Sequence, residues 1–167
     1  LNDGRYGHDA LGNTLRLTLL RSPKAPDPEA DMGRHRFTYA LLPHSGDVWT
    51  GQVVEQAYHL NARPRARLLA PDRPGSLPPE QVFFDTDREG TLIEAIKKAE
   101  DENAIVVRLY EAYNSRGPAR LRTSLRVRSA HRCDLLERDE QALPVEDGTV
   151  SFDIQPFEIV TIKLRLA

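Results

Sequence analysis

Residues 119–128, with the sequence ARLRTSLRVR, alternate strictly between two kinds of side chain. Small or apolar side chains, together with Thr123, stand at the odd-numbered positions, and arginine or serine stands at the even-numbered ones. Successive side chains of a strand point to opposite faces of its sheet. The pattern therefore predicts one strand over 119–128, with a buried face and a solvent-facing one.

Other strand-like runs surround this stretch in the second half of the chain. They are VFFDT (82–86), TLIEAIKKAE (91–100), AIVVRLYEAYN (104–114), TVSFDI (149–154) and FEIVTIKLRL (157–166). The run 93–100 has the composition of a helix but the length and position of a strand, so its type stays open. Several short strands joined by short turns predict an antiparallel β-sandwich, and the fold class is mostly β.

The first third of the chain predicts two further strands and a loop. Alternating apolar residues predict strands over 14–22 and 35–44, and the proline-rich segment 23–33 between them predicts a loop.

A change of period after residue 45 predicts one short helix around 46–60. Its apolar face consists of four residues at helical spacing: Trp49, Val53, Ala57 and Leu60. Ser45 or Asp47 is the expected N-cap, and Trp49 is expected in the core.

A second proline-rich segment, 62–81, predicts an extended connector. We place a domain boundary within it at about residue 70, which gives domains 1–70 and 71–167.

The overall charge argues against nucleic-acid binding. The formal net charge is −2, and the arginines at 120, 122, 126 and 128 have no aromatic residues among them that could stack on bases. We interpret this arginine stripe as the solvent-facing side of a sheet. No apolar run is long enough to span a bilayer, and a single cysteine excludes an internal disulfide, so no membrane association and a cytoplasmic location are expected.

Motifs that carry catalysis are missing from the sequence. It has no glycine-rich phosphate loop, HExxH, GxSxG or CxxC. The five histidines are scattered without the spacing of metal ligands, and Cys133 lies among apolar residues that suggest packing. We therefore expect neither catalytic residues nor a metal or cofactor site within this chain.

The opening stretch LNDGRYGHD (1–9) is a dense polar cluster interrupted by glycines. Asn2, Asp3, Tyr6 and His8 offer an amide, a carboxylate, a phenol and an imidazole, each of which can hydrogen-bond hydroxyl groups. Two interpretations stay open: a tight turn built by Asn2, Asp3 and Gly7, or a loop that belongs to a binding site whose other half lies elsewhere.

Several strings, in the same order, resemble the C-terminal β region of the α-mannosidases of glycoside hydrolase family 38. They are LNDGRYGHD (1–9), LRLTLLRSPKAPDPEADMGRHRFTYALLPH (15–44), VVEQAYHLN (53–61), IEAIKKAEDENAIVVRLYEAYN (93–114), DLLE (134–137) and PFEIVTIKL (156–164). The resemblance implies that 1–70 is the end of a large β-sandwich domain with a short helix. It also implies that 71–167 is a small terminal β-sandwich.

The resemblance also implies a function for a longer protein. Members are retaining glycosidases whose N-terminal catalytic domain holds a zinc ion and an aspartate nucleophile, and none of those motifs occurs here. This chain would then be a non-catalytic segment that partners the missing catalytic domain of the same polypeptide. Asn2, Asp3, Tyr6 and His8 are the expected substrate-proximal residues for an α-mannoside. The alternative is an independent carbohydrate-binding module, which would bind mannose or mannan by itself.

Overall fold

The computed structural model describes residues 1–4, 6–69 and 74–167. The chain divides into two compact units, Leu1–Pro71 and Asp72–Ala167. The boundary predicted at about residue 70 lies outside the described residues, and the assignment of 1–70 and 71–167 to two sandwich domains stays a prediction.

The first unit contains one hairpin and one helix. Strands β1 (His8–Leu11) and β2 (Thr14–Leu17) pair antiparallel, and α1 spans Val53–Asn61. Gly12 takes the first of the two loop positions between the strands with φ of 60°, where a type II′ hairpin turn requires glycine.

Of the two strands predicted for this unit, one was too long and the other was wrong. The strand predicted over 14–22 ends at Leu17, and the segment 35–44 forms no strand beyond an isolated bridge between Tyr39 and Asn2. Among the described residues, the backbone of segment 35–44 pairs only with residues 1–3, through Asp3 N to Thr38 O (3.0 Å) and Ala40 N to Leu1 O (2.9 Å). A single bridge is not the continuous ladder of hydrogen bonds that forms a strand pair.

The helix exists, but it begins later than predicted. Gln52 is its N-cap in a left-handed conformation, with no side-chain capping bond, so neither Ser45 nor Asp47 caps it. Asp47 instead accepts hydrogen bonds from the backbone N–H groups of Trp49 (3.1 Å) and Thr50 (2.9 Å), which closes a separate turn before the helix. Trp49 therefore lies outside the helix, and 37% of it is exposed rather than placed in a core.

The second unit is an antiparallel β-sandwich, as predicted. Its strands are β3 (Phe84–Thr86), β4 (Thr91–Lys98), β5 (Ile105–Glu111), β6 (Gly117–Thr123), β7 (Val127–Cys133), β8 (Asp139–Leu143), β9 (Val145–Glu146), β10 (Thr149–Ile154) and β11 (Ile159–Leu166). One sheet has the order β3-β6-β10-β9 and the other the order β4-β5-β11-β7-β8. The ambiguous run 93–100 is thus mostly strand, with a bulge between Ile93 and Ala95.

The core of the second unit lies between these sheets. Val107, Leu109, Leu121, Val150, Ile154, Val160, Ile162 and Leu164 are buried to 0% exposure and belong to one cluster. In the first unit, by contrast, no described residue is buried. Folding free energy from apolar burial is therefore concentrated in the sandwich.

The opening stretch 119–128 is not one strand but two. β6 ends at Thr123, β7 begins at Val127, and the two strands belong to different sheets. Thr123 Oγ1 accepts the N–H of Leu125 (3.1 Å) at the corner between them. The alternation continues through the corner because both sheets turn their inner faces to the same core, so the sequence pattern does not show the break.

The arginine stripe is divided by the same corner. Arg120 and Arg122 lie on the outer face of the four-stranded sheet, where Arg120 N donates to Asp87 Oδ1 (2.8 Å) and Arg122 lies 3.9 Å from Asp85. Arg126 and Arg128 follow after the corner and are exposed.

Candidate functional site

Asp31 connects three separate parts of the first unit. Its Oδ2 accepts hydrogen bonds from the Tyr6 hydroxyl and from the backbone N–H of Ser22 (3.0 Å), and its backbone oxygen lies 2.8 Å from His35 Nε2. The bond from Tyr6, and then that from Ser22, holds the pKa of the Asp31 carboxyl below its ordinary value. The opening loop is thereby attached to the loop that follows β2.

Asp3 is held in a similar way by the segment beside it. Its Oδ1 accepts the N–H of Thr38 at 2.7 Å, and its own N–H donates to Thr38 O at 3.0 Å. These bonds from Thr38 lower the pKa of Asp3. Both carboxylates are therefore ionised at neutral pH and fixed relative to the backbone.

Asp3, Tyr6 and Asp31 line one open cleft of about 380 Å³. Its other lining residues are Gly4, Leu19, Leu20, His35, Arg36 and Phe37. His35 stacks on Phe37 with ring centroids 5.9 Å apart and planes 7° from parallel. The cleft thus combines hydrogen-bonding groups with apolar side chains, as small-molecule sites do.

Asn2 and His8, the other two predicted site residues, do not line this cleft. Asn2 Nδ2 lies 3.1 Å from His8 Nε2, and Asn2 Oδ1 accepts the N–H of Gly4 at 2.6 Å. His8 borders a second, more apolar cleft of about 340 Å³ together with Leu15, Leu17 and Tyr39, among others. Asn2 thus closes a turn onto Gly4, while Asp3 and Tyr6 line the first cleft. The substrate-proximal role expected of Asn2, Asp3, Tyr6 and His8 stays a prediction.

Sequence reasoning missed Asp31, His35 and Phe37 as members of this cleft. Asp31 stands in a run of acidic residues and prolines that is typical of a solvated loop, and the histidines show no mutual spacing. The contact between Tyr6 and Asp31 spans 25 residues, which no local pattern encodes.

The second unit contains a cluster of charged residues on the outer face of its five-stranded sheet. Lys163 Nζ lies 3.0 Å from Glu102 and 3.1 Å from Asp139, and Arg165 binds the same two carboxylates at 2.7 and 2.6 Å. Bonds from Arg165 and Lys163 lower the pKa of Glu102 to about 2. Burial acts to raise the pKa of Asp139, yet bonds from the same two cations bring it to about 2. These charges neutralise one another and form a structural network.

The environment of Cys133 disfavours a reactive thiolate. Cys133 is buried, and desolvation together with the neighbouring Asp139 raises the pKa of its thiol to about 11, which supports the packing role predicted for it. Within residues 1–4, 6–69 and 74–167, no group of three His, Cys, Asp or Glu side chains is arranged to hold a metal ion.

Most of the sandwich in the second unit matches a known protein family. Residues 91–162 match the family model described as "Glycosyl hydrolases family 38 C-terminal beta sandwich domain". The chain thus belongs to the C-terminal β region of glycoside hydrolase family 38. The match covers β4 to β10 entirely and the first half of β11, so both sheets of the sandwich contribute to the family 38 signature.

Relatives extend the family 38 assignment to the first unit. The chain is 41% identical over 172 residues to alpha-mannosidase 2C1 of Mus musculus and 40% identical over 172 residues to that of Homo sapiens. It is 35% identical over 170 residues to alpha-mannosidase G of Dictyostelium discoideum. Each alignment covers 98–99% of this chain but only 15–16% of the relative. The chain therefore spans about a sixth of the length of these curated relatives.

Among the described residues, no helix has the length and apolar character needed to cross a membrane.

Proposed function

We propose that this chain is a non-catalytic C-terminal segment of a zinc-dependent retaining α-mannosidase that hydrolyses terminal α-mannosides. The alignment with α-mannosidases carries the proposal, because nearly the whole chain matches a sixth of each relative. The sandwich supports it, since its charged cluster is neutralised internally and its thiol is buried. A cytoplasmic location belongs to the same proposal, because a single cysteine gives no sign of a disulfide framework of the kind found in secreted proteins.

The partner in this proposal is the catalytic domain of the same polypeptide. Large apolar side chains of the first unit are exposed, including Leu15 (63%), Tyr39 (64%) and Leu41 (82%), and all three border the second cleft. Apolar surface of this kind is stabilised by a covering protein surface. The segment would give structural support to the catalytic domain by packing through this face.

Zinc in this proposal belongs to the catalytic domain. The described residues of this chain offer no set of three ligands, so zinc chemistry would come from the partner domain. The zinc-dependent enzyme would use its own nucleophile and acid, and this chain would contribute surface and loops.

An assay of the chain with an aryl α-mannoside and added zinc tests the non-catalytic role. We expect no release of the aryl group above the buffer blank, and a sustained turnover that scales with protein concentration would overturn the proposal. Isothermal calorimetry with mannose and mannan, at micromolar protein, tests the alternative of an independent binding module. Heat that saturates at micromolar ligand would favour the module, and no heat is expected from an accessory segment.

A further inference from the structure

One end of the sandwich is closed by three connections that lead from one sheet to the other. They are β3–β4, β5–β6 and β10–β11. The first residue of β4, Thr91, pairs with the last residue of β5, Glu111. The last residue of β10, Ile154, pairs with the first residue of β6, Gly117. The three connections therefore meet at the same end of the two sheets.

Arg88, in the β3–β4 connection, reaches across this end. Its Nη2 donates to Ser115 Oγ (3.0 Å), and its Nη1 donates to Pro118 O on β6 (3.3 Å). Ser115 Oγ in turn donates to Glu111 Oε1 (2.9 Å). Two nitrogens of the guanidinium are thus fixed, while the third, Nε, is buried and has no hydrogen-bond partner among the described residues.

Thr91 provides a second buried polar atom of this kind. It lies directly opposite Glu111, so the two side chains share one face of the sheet, and Leu109, two residues before Glu111, places that face towards the core. Thr91 is only 2% exposed, and its Oγ1 has no hydrogen-bond partner in the part of the chain that the structure describes.

The two atoms belong to one closed ring of contacts. Thr91 N donates to Arg88 O (3.1 Å), and the Arg88 guanidinium binds Ser115. Ser115 binds Glu111, which faces Thr91 across the strand pair. A buried donor without an acceptor lowers stability, and proteins commonly satisfy such groups with an internal water. The ring therefore has the polar groups of an internal ligand site.

The chemistry of the two atoms determines the kind of ligand. Arg88 Nε–H only donates, which excludes a metal cation. The carboxylate of Glu111 balances the charge of Arg88, so the ring has no excess positive charge for an anion. The Thr91 hydroxyl can accept a hydrogen bond. Water is small and neutral, and it can accept from Nε–H while it donates to the hydroxyl oxygen.

We propose that the closed end of the sandwich has a site for one internal water, which accepts a hydrogen bond from Arg88 Nε and donates one to Thr91 Oγ1. The water joins the β3–β4 connection to the first residue of β4. It completes the hydrogen bonding of the junction that Arg88 and Glu111 form between the three connections. The site does not depend on the proposed function.

A high-resolution crystal structure of the full chain tests the site directly. We expect density for one water within hydrogen-bond distance, about 2.7–3.2 Å, of both Arg88 Nε and Thr91 Oγ1. Density that touches neither atom or only one of them would overturn the site. A direct hydrogen bond from either atom to another protein group would do the same.

Thr91→Val tests the site in solution, because valine keeps the shape of threonine and removes only the hydroxyl. If Oγ1 binds the water, we expect the equilibrium constant for unfolding to rise about fivefold, the value of one hydrogen bond, and the urea midpoint to fall. Removal of a buried hydroxyl without any partner would instead leave stability unchanged or raise it. An unchanged or higher urea midpoint would therefore overturn the site.

Thr149→Val is the matched control on β10. It makes the same chemical change in the same sandwich, at a side chain that is only partly buried. We expect the urea midpoint of this variant to stay close to that of the unsubstituted protein. A loss equal to that of Thr91→Val would show that the exchange of threonine for valine is itself the cause, and would overturn the site.

Discussion

The backbone N–H of Phe157 donates a 3.0 Å hydrogen bond to Oε2 of Glu111, a carboxylate with only 1% exposure. The other oxygen of Glu111 accepts from Tyr113 N (2.8 Å) and Ser115 Oγ (2.9 Å). Glu111 therefore ties the loop between β10 and β11 to the loop between β5 and β6. Burial acts to raise the pKa of this carboxyl, but the bonds from Phe157, Tyr113 and Ser115 outweigh it and lower the pKa.

Replacement of Glu111 by glutamine should destabilise the sandwich. A glutamine side chain has one acceptor oxygen, so its NH₂ group must face either Phe157 N–H or the pair of Tyr113 and Ser115 donors. We expect a loss of about 2 kcal/mol in the free energy of unfolding, the cost of a buried donor without an acceptor. Urea unfolding followed by circular dichroism measures it.

Glu140→Gln is the matched control for this substitution. Glu140 is exposed on β8, so the same chemical change there should alter stability by less than about 0.5 kcal/mol. Equal effects of the two substitutions would contradict the role assigned to Glu111.

The charged cluster of the sandwich should give stability that is lost in acid. Glu102 and Asp139 both have a pKa of about 2 in the folded protein, below the ordinary values of glutamate and aspartate. Their contribution to the free energy of unfolding is therefore complete at a pH above the pKa of the unfolded state, about 4. It is lost as the pH falls through the pKa of the folded state. We therefore expect the urea midpoint, measured at pH 7, 4, 3 and 2, to fall most steeply between pH 4 and pH 2.

Asp139→Asn tests whether this cluster causes the acid dependence. The amide removes one titrating partner of Lys163 and Arg165, so the variant should be less stable at pH 7 but lose less stability between pH 4 and 2. If the variant loses as much stability between pH 4 and pH 2 as the unsubstituted protein, other carboxylates cause the acid dependence.

The sequence predicted the sandwich better than it predicted the first unit. Strands β5, β10 and β11 alternate between buried and exposed positions or carry long apolar runs, because each has a dense core on one side. The segment 35–44 shows the same alternation, yet Tyr39 and Leu41 are exposed. Alternation reports which side chains could share a face, whereas a strand also needs a partner edge, and the described first unit offers segment 35–44 only residues 1–3.

The sequence singled out Asp3 and Tyr6 of the first cleft but not Asp31, for a related reason. Asp3 and Tyr6 were recognisable because they lie in one short polar stretch with residues of complementary chemistry. Asp31 joins them only through the path of the chain between β2 and residue 35, and its surrounding prolines are typical of an ordinary loop. Contacts between distant loops depend on tertiary structure, which a single sequence does not display.

The two units should unfold with different stability. Every fully buried side chain of the described residues lies in the second unit, so Leu121→Ala should destabilise that unit by about 3 kcal/mol through the cavity it leaves. Leu41→Ala, the same change at a residue with 82% exposure, should leave the unfolding of the sandwich unchanged. Hydrogen exchange resolved by residue measures both units in one experiment, and protection in 1–69 that equals that of the sandwich strands would contradict this prediction.

The thiol of Cys133 should resist modification until the sandwich opens. Its pKa of about 11 leaves about a hundredfold less thiolate near pH 8 than an ordinary thiol with a pKa of 9 would have, and the thiolate is the reactive form. Only 5% of the residue is exposed, so a reagent also has little access. We expect Ellman's reagent to label the native protein at least about a hundredfold more slowly than the protein in urea. Cys133→Ser supplies the blank, and rapid stoichiometric labelling without denaturant would contradict the packing role of this residue.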